Sequence, residues 1–192
     1  MVAPVYDVRT FCYTATMIEI HPFGNFVPLN AQYLILGSFT GQRSEEDIKN
    51  GYDWFYGTKR NLFWPIIREV YDIQLISKKD KQSLFNRLGI AITDIILSCE
   101  RKSASNLDMN LTNIVLNDEV PNIFKKQKIK KVFFSSKFVE KLFRKHFKTL
   151  VTEYPEIELI TLPSPSPRYA AMSRSQKIEC YKELFPTLKQ LQ

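Results

Sequence analysis

The chain is short of the residues and runs that mark several common protein classes. It has three cysteines, Cys12, Cys99 and Cys180, scattered, odd in number and without CxxC spacing. That pattern argues against structural zinc and a disulfide framework, and for reduced thiols in a cytoplasmic protein. The two histidines, His21 and His146, lie far apart and lack ligand spacing. His146 falls among packing residues and reads as structural. No HExxH and no Ser-His-Asp set is present. Neither GxGxxG nor Gly-Lys-Ser/Thr occurs, so the dinucleotide fingerprint and the P-loop are both missing. No apolar run approaches the roughly 18 residues that span a bilayer, and the N-terminus has no basic stretch leading into an apolar one. The expectation is a monomer with no membrane segment, metal or other cofactor.

What is present points to an enzyme-sized domain with an anionic partner. The 192 residues suit one domain, and 44% hydrophobic residues suffice for a core. Residues 1–16 read as an N-terminal extension and 17–192 as the domain. The net charge of +7 and pI near 9.2 favour nucleic acid as partner, although an ordinary basic protein carries similar charge.

Hydrophobic patterning predicts alternating strands and helices. "TATMIEI" is a possible strand. "YLILG" is a continuous apolar run ending at Gly37, as in a buried parallel strand. "FWPIIREVY" reads as a helix with Pro65 in its first turn, and "KDKQSLFNRLG" as another, stopped by Gly89. "IAITDII", "KKVFFSS" and "IELITL" are further strands. "LTNIVLNDEVPNIFKK" is expected to be helical, with a break at Pro121. "KFVEKLFRKHF" places Val139, Leu142, Phe143 and His146 on one helical face. A last helix starts near Ser173, where Ser173 and Gln176 fit a capping box, and Pro186 should kink it. The fold class is therefore α/β, a three-layer α/β/α sandwich around a mainly parallel four-stranded sheet. Ligands in such sheets bind at the carboxyl ends of the strands.

Three stretches carry candidate chemistry. "LILGSFTGQ" ends its strand in a Gly-x-x-x-Gly turn, where glycines let backbone N–H groups approach a ligand; a plain tight turn explains it as well. "LPSPSPRYA" alternates three prolines with two serines. Proline fixes φ, so the loop is stiff, and its hydroxyls and N–H groups suit phosphate contacts. Arg168 and Tyr169 at its tip suit a wedge entering a duplex. A rigid connector is the plainer alternative. "GYDWFYGTKRNLFW" is dense in aromatics beside Lys59 and Arg60, which suits base stacking next to phosphates. Phe63 and Trp64 begin a helix and read as core, whereas Phe55 and Tyr56 are the stacking candidates. Two basic stretches, "KKQKIKK" and "KFVEKLFRKHFK", are explained equally well as solvated faces.

Taken in order, these loops resemble motifs of the uracil-DNA glycosylase superfamily. "GSFTG", Gly37–Gly41, is similar to the family's "GINPG" loop. "YGTKRNLFW", Tyr56–Trp64, is similar to "FAHPANRFW" of the mismatch-specific branch. "LPSPSPRY", Leu162–Tyr169, resembles "LPNPSGLS". The hypoxanthine-DNA glycosylase branch looks closer still, and it carries a central segment similar to "TDIILSCERKSASNLD", Thr93–Asp108. The resemblance covers about His21 to Leu188. It implies an α/β/α sandwich that flips a damaged base from DNA and hydrolyses its N-glycosidic bond without a metal.

The resemblance also implies roles. Phe39 stands where the mismatch-specific branch places an asparagine that positions water. The hypoxanthine branch shares that replacement and implies an asparagine of its "PRN" segment instead, here Asn61. Thr58 and Lys59 replace the His and Pro that precede it. Gly37, Ser38, Phe39 and Tyr56 would form the base pocket, with Tyr56 stacking on the base and the Phe39 backbone touching its edge. Ser44, Ser164 and Ser166 would hold DNA phosphates, and Arg168 or Tyr169 would fill the vacated stack. No carboxylate has a clear part, Asp53 being a candidate only by its place in the loop. Two other readings stay open: a catalytically silent nucleic-acid-binding relative, suggested by Phe39, Thr58 and Lys59, and a Rossmann-like small-molecule enzyme.

Overall fold

The computed structural model describes residues 17–40, 45–49, 52, 54–103 and 107–188. The extension 1–16, Gly41, Ser44 and Asp53 lie outside the described residues. Four short apolar runs form one parallel sheet: β2 (Tyr33–Gly37), β3 (Ile90–Asp94), β6 (Lys131–Phe134) and β7 (Glu158–Thr161). Their spatial order is β3-β2-β6-β7. Register aligns Gly37 with Asp94, Leu36 with Phe134, and Phe134 with Thr161. All four strands therefore end at one edge. From β2 the chain runs out to β3 on one side and later returns to β6 on the other. That reversal opens a crevice between the carboxyl ends of β2 and β6.

The period-two alternation of strand side chains sorts the core into two layers. Ile35, Ile90, Ile92 and Phe133 face helices α2 (Phe63–Tyr71), α3 (Lys78–Leu88) and α7 (Arg174–Leu184). Leu34, Leu36, Ala91, Val132 and Phe134 face α4 (Glu119–Lys126), α5 (Lys137–His146) and α6 (Lys148–Glu153). The result is the three-layer α/β/α sandwich expected from the alternating elements. A five-residue α1 (Glu45–Lys49) lies between β2 and α2.

Local rules explain the helix ends. Pro65 sits in the first turn of α2, where its missing N–H costs nothing. Gly89 caps α3 at φ 65°. Ser173 and Gln176 form the reciprocal capping box that starts α7. That helix ends at Leu184, capped at Phe185, so Pro186 follows it rather than kinking it.

Two further expectations are corrected. "LTNIVL" is not helical. It is strand β5 (Leu111–Leu116), antiparallel to β4 (Ile96–Arg101), which in turn pairs with β1 (Ile18–Ile20). The β-branched Thr112, Ile114 and Val115 favour a pleated surface, and only α4 is helical, with Pro121 tolerated in its first turn. His146 is exposed at the end of α5, because Val139, Phe143 and the following Phe147 form the buried stripe. Among the described residues no helix is long and apolar enough to cross a membrane.

Candidate functional site

A cleft of about 820 Å³ opens at the carboxyl edge of the parallel sheet. Its size falls in the range that takes small-molecule or single-nucleotide ligands. Three loops form it. The turn after β2 contributes Ser38, Phe39 and Thr40; the loop before α2 contributes Tyr56 and residues 58–61; the loop after β7 contributes Ser164, Ser166 and Arg168. Two further groups come from the strand ends: Asp94 from β3, and Ser135 and Ser136 from the turn between β6 and α5. Asp108, in the 3-10 turn Asp108–Asn110 before β5, completes the floor. Lys59, Arg60 and Arg168 are exposed at its edge. The cleft thus has a basic rim over a floor that holds two carboxylates.

Gly37 is a glycine because of what lies over it. A Cβ there would stand 2.0 Å from Asp94 Oδ1 and 2.7 Å from Tyr56 Oη. The turn beyond it is pinned by backbone bonds from Ile95 N–H to the Gly37 carbonyl and from Ile96 N–H to the Ser38 carbonyl, 2.9 and 3.1 Å. Arg101, paired through two 2.9 Å bonds with Glu19, also donates to the Thr40 carbonyl at 3.3 Å and lies over the Phe39 ring.

Tyr56 adopts φ 55°, unusual for a bulky residue. Its ring packs on Phe63, 4.5 Å between centroids. The buried hydroxyl lacks a hydrogen bond of normal geometry among the described residues. Burial, and then the charge of Asp94, hold the phenol well above its ordinary pKa, against a smaller opposite pull from the Ser135 side chain. Phe55 is 2% exposed and stacks on His21, and it lines the cleft from within the core. Trp54 and Trp64 stack on each other beneath it.

Asn61 lines the cleft and also starts a helix. Its amide oxygen accepts the Phe63 N–H at 2.9 Å. A backbone N–H can only donate, so the oxygen is assigned by its partner and the NH2 end is the one left over.

The serine-proline loop is held from two helices. Leu62 N–H donates to the Pro165 carbonyl at 3.0 Å, Tyr181 Oη to the Pro163 carbonyl at 3.1 Å, and Lys177 Nζ to the Tyr169 carbonyl at 2.9 Å. Lys177 is 1% exposed, and desolvation lowers its pKa. Ser164 Oγ accepts from Ser166 N–H and Ser166 Oγ from Arg168 N–H, each at 3.3 Å. Both hydroxyl hydrogens remain available to donate. Arg168 lines the cleft, whereas Tyr169 stands outside it, half exposed, with Lys177 Nζ 4.9 Å from its ring.

The sequence reading missed the acidic floor and the histidine behind it. Asp94 accepts from His21 Nε2 at 2.8 Å, and both side chains are buried. Asp108 is pushed above its ordinary pKa, chiefly by burial and less by Asp94, while the Ser38 hydroxyl pulls it down. The one available signal was "IAITD", an apolar strand closed by an aspartate. Ser135 and Ser136 carried the same kind of signal in "VFFSS". Among the described residues no group of three or more His, Cys, Asp and Glu side chains gathers in a way that could hold a metal.

No family model matches the chain, and no curated protein matches it. Among solved structures it is similar to the solution NMR structure of a "putative Uracil DNA glycosylase" from Methanosarcina acetivorans. Identity is 20%, the TM-score is 0.62, and the match covers 88% of this chain and 99% of that one. The chain therefore shares the α/β/α architecture of that structure. At that identity the likeness establishes architecture, not reaction.

Proposed function

We propose that the protein is a monofunctional DNA glycosylase that flips a deaminated base, hypoxanthine or uracil, from DNA and hydrolyses its N-glycosidic bond, as in base excision repair. The observation that carries this reading is the convergence of three separate loops on one cleft with a basic rim and an acidic floor. Lys59 and Arg60 on the rim suit the phosphate backbone. A single extruded nucleotide fits the cleft volume. A floor of carboxylates suits the positive charge that develops on the sugar as the base departs.

The residues divide the work accordingly. Tyr56, backed by Phe63, offers an aromatic surface to the flipped base. The loop of Gly37, Ser38 and Phe39 closes the pocket under the base edge. Asn61 acts through its NH2 group, since its oxygen is committed to the helix. Donated to an acceptor on the base, that NH2 stabilises the negative charge that the leaving base acquires. Ser164 and Ser166 donate to phosphates beside the flipped nucleotide. Arg168 fills the gap in the stack, because the Tyr169 ring is already engaged by Lys177.

Release of free base from oligonucleotides carrying uracil, hypoxanthine or xanthine tests the reading. The most informative variant is Asn61→Asp, which keeps an oxygen to accept the Phe63 N–H but replaces the donor with an anion. Single-turnover release should fall about 100-fold or more, with the melting temperature unchanged or raised. An unaltered rate removes Asn61 from the mechanism.

A further inference from the structure

We propose that Asp94 is the carboxylate that activates the attacking water in this cleft, and that His21 positions it. This rests on the glycosylase reading.

The geometry is that of a held carboxylate with one working oxygen. His21 Nδ1 accepts the Phe23 N–H at 3.3 Å, so the ring proton resides on Nε2. Nε2 then donates to Asp94 Oδ2 at 2.8 Å. The imidazole cannot swing away. It stacks on Phe55 with centroids 5.4 Å apart and meets Phe39 and Phe23 edge-on at 5.7 and 5.8 Å. One carboxylate oxygen is thus fixed from behind by a ring that is itself fixed on three sides.

The other oxygen lies over Gly37, in the cleft. A side chain at position 37 would occupy its place, 2.0 Å from Oδ1. Asp94 itself is 6% exposed, yet it lines the cleft. It sits at the carboxyl end of β3, beside the central strand β2, where sheets of this type place reacting groups. A pair serving only the fold would not need its free oxygen turned into the site. The neighbouring Asp108 is less suited to the task, because burial and the Asp94 charge both raise its pKa.

The step balances as a hydrolysis. The water oxygen bonds to C1′ of the sugar. The C1′–N bond breaks, and its electron pair leaves with the base. One water proton passes to Asp94 Oδ1 and on to solvent, and the departing base takes up a proton in exchange. Before the water arrives, the same carboxylate faces the cationic sugar and lowers its energy.

Single-turnover release from the best lesion duplex of the wild type, alongside binding of that duplex by fluorescence anisotropy, tests the proposal. Asp94→Asn should reduce release about 100-fold or more while affinity changes less than about threefold. Added formate should restore part of the rate of Asp94→Ala. For His21 a conservative pair separates positioning from packing. His21→Gln keeps an N–H donor and should retain release within about tenfold, whereas His21→Phe keeps the ring but loses the donor and should fall about as far as Asp94→Asn. If Asp94→Asn does not fold, the His21 pair decides: equal rates for Gln and Phe overturn the proposal. A folded Asp94→Asn with a wild-type rate overturns it outright and leaves the glycosylase reading intact. A wild type that releases no base from any of the duplexes removes both.

Discussion

At the scale of single residues, the site is organised around an absent side chain. Gly37 leaves room for Asp94 Oδ1 and Tyr56 Oη, both of which would collide with a methyl group. Gly37→Ala should therefore damage function more than its size suggests. Displacing the carboxylate and the phenol by even part of an ångström should lower base release about 100-fold and cost about 1–3 kcal/mol of stability. Release kinetics and a urea melt read the two effects separately. Gly37 and Asn61 were legible in the sequence as parts of motifs. His21 was not, because its partner lies 73 residues away and a pair at that separation has no spacing to recognise. Asp94 was half legible. A charged residue closing an apolar strand is conspicuous, but only the sheet register puts it opposite Gly37.

At the scale of elements, side-chain contacts between neighbours keep the strand ends in line. Thr161, the last residue of β7, donates to Glu140 of α5, and Glu140 also pairs with Arg144 at 2.8 Å. The Thr161 hydroxyl, helped by Arg144, holds the Glu140 carboxyl below its ordinary pKa. A carboxylate whose folded pKa is depressed stabilises the fold above its unfolded pKa. That contribution is lost as the pH drops below about 4.5 and on through the lowered folded value. Thr161→Val should shrink this part of the acid sensitivity, seen as a smaller stability difference between about pH 6 and pH 3 in urea melts. The helices and parallel strands were readable because apolar runs and caps are local signals. β5 was not. Its six residues carry apolar spacing that fits either period, and pairing with β4, a tertiary choice, decided between them.

At the scale of the whole molecule, strand order matters more than any one motif. The order β3-β2-β6-β7 brings Gly37, Asp94 and Ser135 to one edge and opens the crevice between β2 and β6. Alternation of strands and helices made the sandwich predictable from sequence, whereas the antiparallel sheet β1-β4-β5, which carries Arg101 and its partner Glu19 against the Phe39–Thr40 turn, was not foreseen. The chain's charge of +7 and the basic rim set a further expectation. DNA affinity should fall steeply as salt rises. Replacing Lys59 or Arg60 with alanine should reduce the slope of log K against log salt by about one for each phosphate that is no longer neutralised. A slope unchanged in both variants would place the DNA elsewhere.

The central claim is hydrolysis of a base from DNA in this cleft. Its most direct test is a single-turnover reaction in 18O-labelled water with duplexes carrying uracil or hypoxanthine, followed by mass spectrometry of both products. The account predicts free base and an abasic strand in equal amounts, with one labelled oxygen on the sugar. Tight, salt-sensitive binding of the same duplexes with no base released would contradict it, and would leave a DNA-binding protein that carries the fold without the reaction.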